Sequence, residues 1–568
     1  MRFNRHVFHL DSALRHHISP SSSLSRQCRR YASDAQTSYP KRIAIVGGGI
    51  AGLSAAHFIN REFPKSQITL YEAQDDVGGW IQSRKVQVDG GEVIFEYGPH
   101  TLRPAGPMSL PSLMLIKDVG VADQLVGTAM SSEGAGRRFL YYPDRLNELP
   151  SGRDDLTLAK LLKLQQAGLL SGIASVLKEP FVPPPPDDMI DDSVGEFLSR
   201  RFDKRLVDNL ASAVYHGIYA GDIYQLSAAA MMPAFWRLER DYKSILGGLW
   251  KLGGKIPIHP HQSITLHQIL EEAHERSYVE EDFNKLPQMP EDLAFVYFKG
   301  GIQTLVNAIE KSLRSKENVT IKTGTAVHSY ENVKDKFGRI NVVAGESSSE
   351  PVPYDFVVST TPMNLTPYAT VMVVNLYYQT PNLAPAGFGY LIPQSVPMDQ
   401  NPEYGLGVIF DSHATPHVDE VPGTKLTVMM GGHWWQDWAS YPSESEGAAM
   451  AKSMLKRHLS IDVEPDACHV TLNRDCIPQY TVGYVQRADE LDADLRHNYK
   501  GRVRVVGSQF NGVGVNDVIR GAFGMAKQMK VGGLFKDGWR DTHRTGLERW
   551  TFDQSFDPGF VLGRTERH

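Results

Sequence analysis

Residues 41–72, KRIAIVGGGIAGLSAAHFINREFPKSQITLYE, limit what this chain can fold into more than any other stretch. An apolar run at 43–46 enters Gly47-Gly48-Gly49-Ile50-Ala51-Gly52. A helix-compatible stretch follows, and a second apolar run ends at Glu72, 20 residues after Gly52. The spacing predicts a strand, a tight turn, a helix and a second parallel strand. Gly47 makes the turn, Gly49 lets the backbone approach a pyrophosphate, and Gly52 lets helix and strand pack closely. The pyrophosphate is expected on the helix N-terminus, with Glu72 accepting from ribose hydroxyls.

The 568 residues suffice for two or three domains, and a hydrophobic content of 41% is that of a globular protein with a large core. The first 31 residues carry Arg2, Arg5, Arg15, Arg26, Arg29 and Arg30 against a single acid, Asp11, with serines clustered at 19–25. That is the composition of a mitochondrial presequence, and Arg29-Arg30-Tyr31-Ala32-Ser33 places the cut near Tyr31. Its removal takes away six positive charges and one negative, moving the formal net charge from −6 to −11. No basic stripe remains, so no nucleic-acid partner is expected. Cys468 and Cys476 form no CxxC and belong to no ligand cluster. Both are expected as buried thiols, with no disulfide and no metal.

No run is long and apolar enough to span a bilayer. Residues 156–177, LTLAKLLKLQQAGLLSGIASVL, read as one amphipathic helix. Its face of Leu156, Leu161, Leu164, Leu169 and Ile173 could serve a core or dip into one leaflet, with Lys160 and Lys163 at the headgroups. The proline run after it reads as an extended connector. Residues 106–255 read as mainly helical, 256–293 as an irregular polar excursion, and 368–435 as sheet. An apolar strand at 503–507 and a core helix at 522–529 close the pattern. The charged tail 536–568 has no evident role. The nucleotide-binding unit thus begins at 41 and ends near 530, with other units inserted.

Past Glu72 the motifs become specific. Gly78-Gly79-Trp80 and Glu96-Tyr97-Gly98-Pro99 give a pattern that resembles the FAD-dependent amine oxidase superfamily, so the dinucleotide is read as non-covalent FAD. Arg138-Phe139-Leu140-Tyr141, Ser244-Ile245-Leu246-Gly247, Gly387-Phe388-Gly389-Tyr390-Leu391, Cys476-Ile477-Pro478-Gln479-Tyr480-Thr481 and Val515-Asn516-Asp517 follow in order. Together they resemble the eukaryotic oxygen-dependent protoporphyrinogen oxidases. The resemblance runs from 41 to about 530.

The resemblance implies an α/β (α+β multidomain) fold. A Rossmann-type FAD-binding domain (41–130, 294–360, 476–535) is interleaved with an α-helical membrane-binding domain (131–255) and a substrate-binding mixed-sheet domain (361–475), after a presequence (1–31) and before the tail (536–568). It implies oxidation of protoporphyrinogen IX to protoporphyrin IX by FAD, with O2 as acceptor and H2O2 as by-product. It implies a homodimer, peripheral on the mitochondrial inner membrane, with ferrochelatase as a downstream partner.

Residue by residue, it places Arg138 on a substrate propionate, where a guanidinium meets a carboxylate with two prongs. Arg137 beside it is a substitute for that role. Phe388, Leu391 and Met429 pack on the tetrapyrrole, and Gly217 lines the site. FAD takes Gly47, Gly48, Gly49, Ile50, Ala51, Gly52, Glu72, Trp80, Gly98, Pro99, His100, Thr101, Val327, Ser508, Val513, Gly514 and Val515. Where mammalian members read Gly-Pro-Arg-Gly, this chain has Gly98-Pro99-His100-Thr101. No general base is assigned. Two other readings stay open: a flavin amine oxidase or desaturase, and a non-enzymatic binding protein like the Rab GDP-dissociation inhibitors.

Overall fold

The computed structural model describes residues 40–531 apart from 105, 153–154, 258–259, 277–291, 334–337 and 347, together with 545–547 and 561–562. The expected presequence, residues 1–31, therefore lies outside the described residues. The architecture is mixed α/β, built on two large sheets.

The first sheet has five strands in the order Val319–Lys322, Gln67–Tyr71, Arg42–Val46, Phe356–Ser359, Val503–Val505. All are parallel. A parallel sheet is covered on both faces, which is why Ile43, Ala44, Ile45 and Val46 are all buried rather than alternating. One face packs on Leu53, Phe58, Ile309, Ile519 and Phe523 from the helices Ile50–Glu62, Gln303–Arg314 and Val515–Val531. The chain leaves this sheet after Tyr71, after Lys322 and after Ser359; the second departure builds the three-stranded sheet of Val327–Asn332, Ile340–Ala344 and Val352–Tyr354.

The second sheet has seven strands in the order Ala467–Pro478, Tyr368–Tyr378, Thr424–Gly431, Gly405–Ile409, Gly389–Leu391, Arg138–Tyr141, Leu146–Leu149. Only the Gly389–Leu391 and Arg138–Tyr141 pair is parallel. Period-two alternation gives it two different faces. Phe139, Tyr141, Tyr390, Val408, Val428, Met430, Met372 and Val374 turn to one side, onto Ala451, Met454 and Leu455 of the helix Glu444–Leu459. That helix starts at Ser443, whose hydroxyl and Glu446 form a capping box. The opposite face carries one row across five strands: Leu140, Leu391, Gly407, Met429 and Val373 stand in register.

Several sequence expectations are corrected. Within 106–255, Leu125–Ala129, Arg138–Tyr141 and Leu146–Leu149 are strands. They are four or five residues long, too short for periodicity to separate from a helix turn. In the stretch 256–293, of which 277–291 lie outside the described residues, Pro260–Glu275 is not irregular but a helix whose Leu266, Ile269 and Ala273 are buried. Three core positions on one stripe suffice for it.

Residues 156–177 are not one helix. Thr157 caps Leu158–Gln166, Gly168 at φ +86° ends it, and Ile173–Leu177 is a separate 3₁₀ turn. Leu164 and Leu169 pack inside, so the proposed face splits. Lys160 is held by Glu148 (2.9 Å) and Asp155 (2.6 Å) rather than left free. Cys468 is exposed on an edge strand and Cys476 is half-buried, so neither is a fully buried thiol. In the tail, Thr545 and Leu547 are buried, and Val505 N–H donates to the Thr545 carbonyl at 2.7 Å.

Candidate active site

The glycine turn has the geometry a pyrophosphate needs. Gly47 sits at φ +101°, and its N–H donates to the Tyr71 carbonyl at 2.8 Å. A Cβ on Gly52 would fall on the Gly47 carbonyl oxygen. Gly49 caps the helix Ile50–Glu62 without any side-chain acceptor, so the first N–H groups of the helix are left for an anion. A Cβ on Gly49 would meet nothing closer than the Gly79 Cα at 3.9 Å, so the space above it is open. Gly78 and Gly79 pack on this loop, with Gly78 N–H donating to the Gly48 carbonyl at 2.9 Å. The chemistry and the open cradle both fit a dinucleotide.

Glu72 ends the strand Gln67–Tyr71. Its carboxylate accepts from Gly48 N–H at 2.5 Å and from Gln74 N–H at 2.8 Å. Both oxygens keep a lone pair for ribose hydroxyls. Val327 starts the strand Val327–Asn332, two residues after Thr325, whose N–H donates to the Glu72 carbonyl at 2.7 Å. A Cβ on Gly507, beside Ser508, would lie 3.9 Å from the Ala51 Cβ. These residues gather around the glycine turn. Glu72→Gln weakens each charged acceptor bond, and FAD affinity is expected to fall about 10-fold, as read by titrating the apoprotein with FAD.

A cavity of about 270 Å³ marks the other end. Gly98, Pro99, His100 and Thr101 wall it on one side, with Val513, Gly514 and Val515 at the start of the helix Val515–Val531. Phe388, Met429, Val373 and Ile409 wall it from the second sheet, together with Asp411 and Thr427. Two segments more than 400 residues apart thus line one cavity, together with the inner face of the second sheet, to which Met429 and Val373 of the row contribute. Gly98 is tight here, because a Cβ would strike the Trp80 carbonyl. Trp80 itself is half-exposed and not among the cavity-lining residues.

Leu391 and Gly217 do not line this cavity but continue its row. A Cβ on Gly217 would lie 2.8 Å from Leu391, so the helix Ser212–Tyr219 rests on that leucine through its glycine. Arg138 stands two residues before Leu140 on the same face, with its guanidinium carbon 5.9 Å from the Phe388 ring centre. Burial first, and the like charge of Arg103 second, push its pKa below the ordinary value. No carboxylate pairs with Arg138 among the described residues. Arg137, by contrast, is bound to Glu148 at 2.9 Å. The structure thus separates the two arginines: Arg138 is the one available to an incoming anion.

Behind Gly217, His216 Nδ1–H donates to the Ile392 carbonyl at 2.6 Å, and its Nε2 accepts from His433 Nε2–H at 2.9 Å. Burial is the largest cause holding both imidazoles well below their ordinary pKa, so the folded protein keeps them neutral. A depressed value means the stability they contribute is present above about pH 6.5 and is lost as pH falls toward their folded values. Each imidazole is expected to remove about 1.4 kcal/mol per pH unit below that point. Urea midpoints at neutral and mildly acid pH check this, and His433→Gln is expected to flatten the decline.

Sequence reasoning missed Val373, Ile409, Asp411, Ala414, Thr415 and Thr427 in the cavity wall. Alternation in Thr424–Gly431 would have given Thr427 once Met429 was placed on the inner face. Nothing local marks Asp411.

The comparisons with known proteins agree with this geometry. The match to the flavin containing amine oxidoreductases spans residues 50–529, and the chain belongs to that family. It is 35% identical over 502 residues to protoporphyrinogen oxidase of Schizosaccharomyces pombe, covering 86% of this chain and 98% of the relative. The human protein of the same name is 28% identical over 503 residues, covering 84% of this chain and 96% of the relative. A solved structure from Exiguobacterium sp. 255-15 superposes with a TM-score of 0.61 at 21% identity, covering 87% of this chain and 99% of the other. The chain is a flavin-dependent oxidoreductase whose cofactor is FAD.

Proposed function

We propose that the protein oxidises protoporphyrinogen IX to protoporphyrin IX, removing six electrons in three steps, each pair passing to O2 to give H2O2. The observation that carries the reading is the cavity. Residues 98–101 and 513–515 of the nucleotide-binding part meet an apolar sheet face there, and Arg138, without a carboxylate partner among the described residues, stands beside Phe388. An apolar macrocycle with two carboxylates matches a slot of that kind. FAD, when bound, supplies the hydride acceptor.

The protein's own residues do the rest. Phe388, Met429, Val373 and Leu391 give the ring an apolar floor and exclude water. Gly407 carries no side chain into that floor, and Gly217 lets the helix Ser212–Tyr219 rest on Leu391. Arg138 fixes the ring's orientation through a propionate. Cys476 is not a covalent anchor: burial first raises its thiol pKa to about 12, and its S–H points to the Ala369 carbonyl at 3.4 Å. An oxygen electrode tests the acceptor. Three O2 consumed per porphyrin formed supports the reading, and full turnover without oxygen uptake contradicts it.

The same reading puts the mature protein on the matrix import route and on the inner-membrane surface, as a homodimer that hands its product to ferrochelatase. Among the described residues no helix is long and apolar enough to cross a membrane. Leu158, Leu162, Leu177 and Phe181 are nonetheless exposed at 72%, 52%, 80% and 86%. Large apolar side chains this exposed are ones a lipid surface would cover. Replacing Leu158, Leu177 and Phe181 by Ser is expected to release the protein from sedimenting liposomes. Unchanged sedimentation would rule this patch out as the contact.

A further inference from the structure

We propose that His100, held by Asp411, is the cation that this site sets against the negative charge of the reduced flavin. The inference rests on the reading that FAD ends near residues 513–515. His100 Nδ1–H donates to Asp411 Oδ1 at 3.1 Å, with the two side chains 9% and 5% exposed. Asp411 Oδ2 accepts from the Thr427 hydroxyl at 2.7 Å. The carboxylate is thus fixed from the sheet side, while the imidazole comes from the nucleotide-binding side. Nε2 of His100 has no protein partner among the described residues. Both His100 and Asp411 line the cavity that Val513, Gly514 and Val515 also line.

The groups facing this pair decide its charge. Glu96, from the strand Gly91–Glu96, accepts from Ser83 Oγ–H at 2.6 Å and Ile302 N–H at 2.9 Å. Lys425, from Thr424–Gly431, donates to Asp419 at 2.7 Å and to the Ile94 carbonyl at 2.9 Å. With a neutral imidazole, Lys425 would face the carboxylates of Asp411 and Asp419, with Glu96 beside them, whose own pKa burial raises toward the neutral form. A protonated imidazole relieves that imbalance. Burial is the largest influence on His100 and opposes its charge, but the hydrogen bond and charge of Asp411, with Glu96 adding, leave the pKa raised above 6.5.

The N-terminus of the helix Val515–Val531 adds partial positive charge at the same cavity. A positive charge beside a redox group favours its more negative form, so an imidazolium here raises the midpoint potential of the bound flavin. A raised imidazole pKa fixes the sign. The effect is present while the imidazole is protonated and fades as pH rises through its folded value, which lies above the ordinary one.

The test is a redox titration of the FAD-loaded protein against indicator dyes, from about pH 6 to about pH 9. The wild type is expected to show an inflection above pH 6.5 that His100→Arg removes while keeping the high potential. His100→Gln is expected to lower the preference for reduced over oxidised FAD about tenfold, about 30 mV for a two-electron couple. Asp411→Asn is expected to move the inflection toward acid. Flavin bound normally with the same potential in wild type and His100→Gln would overturn the proposal. If His100→Gln does not fold, a wild-type curve with no inflection, or an inflection that survives in His100→Arg, overturns it equally. Failure of the wild type to bind FAD at all would instead sink the flavin reading on which it rests.

Discussion

Gly49→Ala is expected to yield a folded protein without flavin, and Gly52→Ala a protein compromised in both. The difference follows from what each new methyl group meets. At Gly49 the space is open in the protein itself, with the nearest heavy atom at 3.9 Å, so the fold is indifferent to a Cβ. The pyrophosphate is not indifferent, because it must lie against that backbone. At Gly52 the methyl would overlap the Gly47 carbonyl oxygen, and the turn must shift before anything binds. Overpacking of that kind costs about 1–3 kcal/mol of stability. FAD affinity is expected to drop at least about 100-fold in both variants. The absorbance of bound flavin after gel filtration, paired with a thermal melt, separates the two outcomes. Equal melting temperatures for Gly52→Ala and wild type would contradict the packing argument.

The second large effect belongs to Arg138. Its guanidinium lies over Phe388 and has no carboxylate partner among the described residues, while Arg137 is held by Glu148. A charged hydrogen bond contributes roughly 1.5–3 kcal/mol, so loss of a two-pronged contact in Arg138→Ala should raise KM about 10- to 100-fold. Arg138→Lys restores the charge but not the fork and is expected to recover only part of that loss. Arg137→Ala should leave KM within a few-fold, because its side chain already serves Glu148. Equal KM effects at 137 and 138 would mean that the carboxylate is bound elsewhere.

How far the sequence reached can be argued from particular residues. The glycine turn was legible because every feature of it is local. Gly47, Gly49, Gly52 and the acidic strand end at Glu72 are fixed by a backbone path of about 30 residues, and the structure has the strand, turn, helix and second parallel strand around them. The cavity is the opposite case. Residues 98–101 and 513–515 came from motif order, and Phe388 and Met429 from resemblance. That all four segments line one cavity depends on the register of a seven-stranded sheet, which no local pattern encodes. Arg138 shows the same limit. Its short strand reads as part of a helical region until its parallel pairing with Gly389–Leu391 is seen. The pairing puts Leu140 in register with Leu391, and Arg138 on that face.

The helix Pro260–Glu275 was hidden for a different reason. Its composition is polar because only one narrow stripe meets the core, and composition averages over the whole surface. Residues 156–177 failed in the reverse direction. Their apolar content was read as one face, but Gly168 breaks the helix and sends Leu164 and Leu169 inward. Leu158, Leu162 and Leu177 are left exposed. Asp411 was beyond reach because its significance lies entirely in His100, 311 positions away in the chain.

The most direct test is to supply FAD-loaded protein with protoporphyrinogen IX in air and follow porphyrin fluorescence. The account predicts a rate far above spontaneous oxidation, abolished in Gly49→Ala and raised in KM in Arg138→Ala. Flavin-loaded protein that leaves the substrate at its blank rate would contradict it.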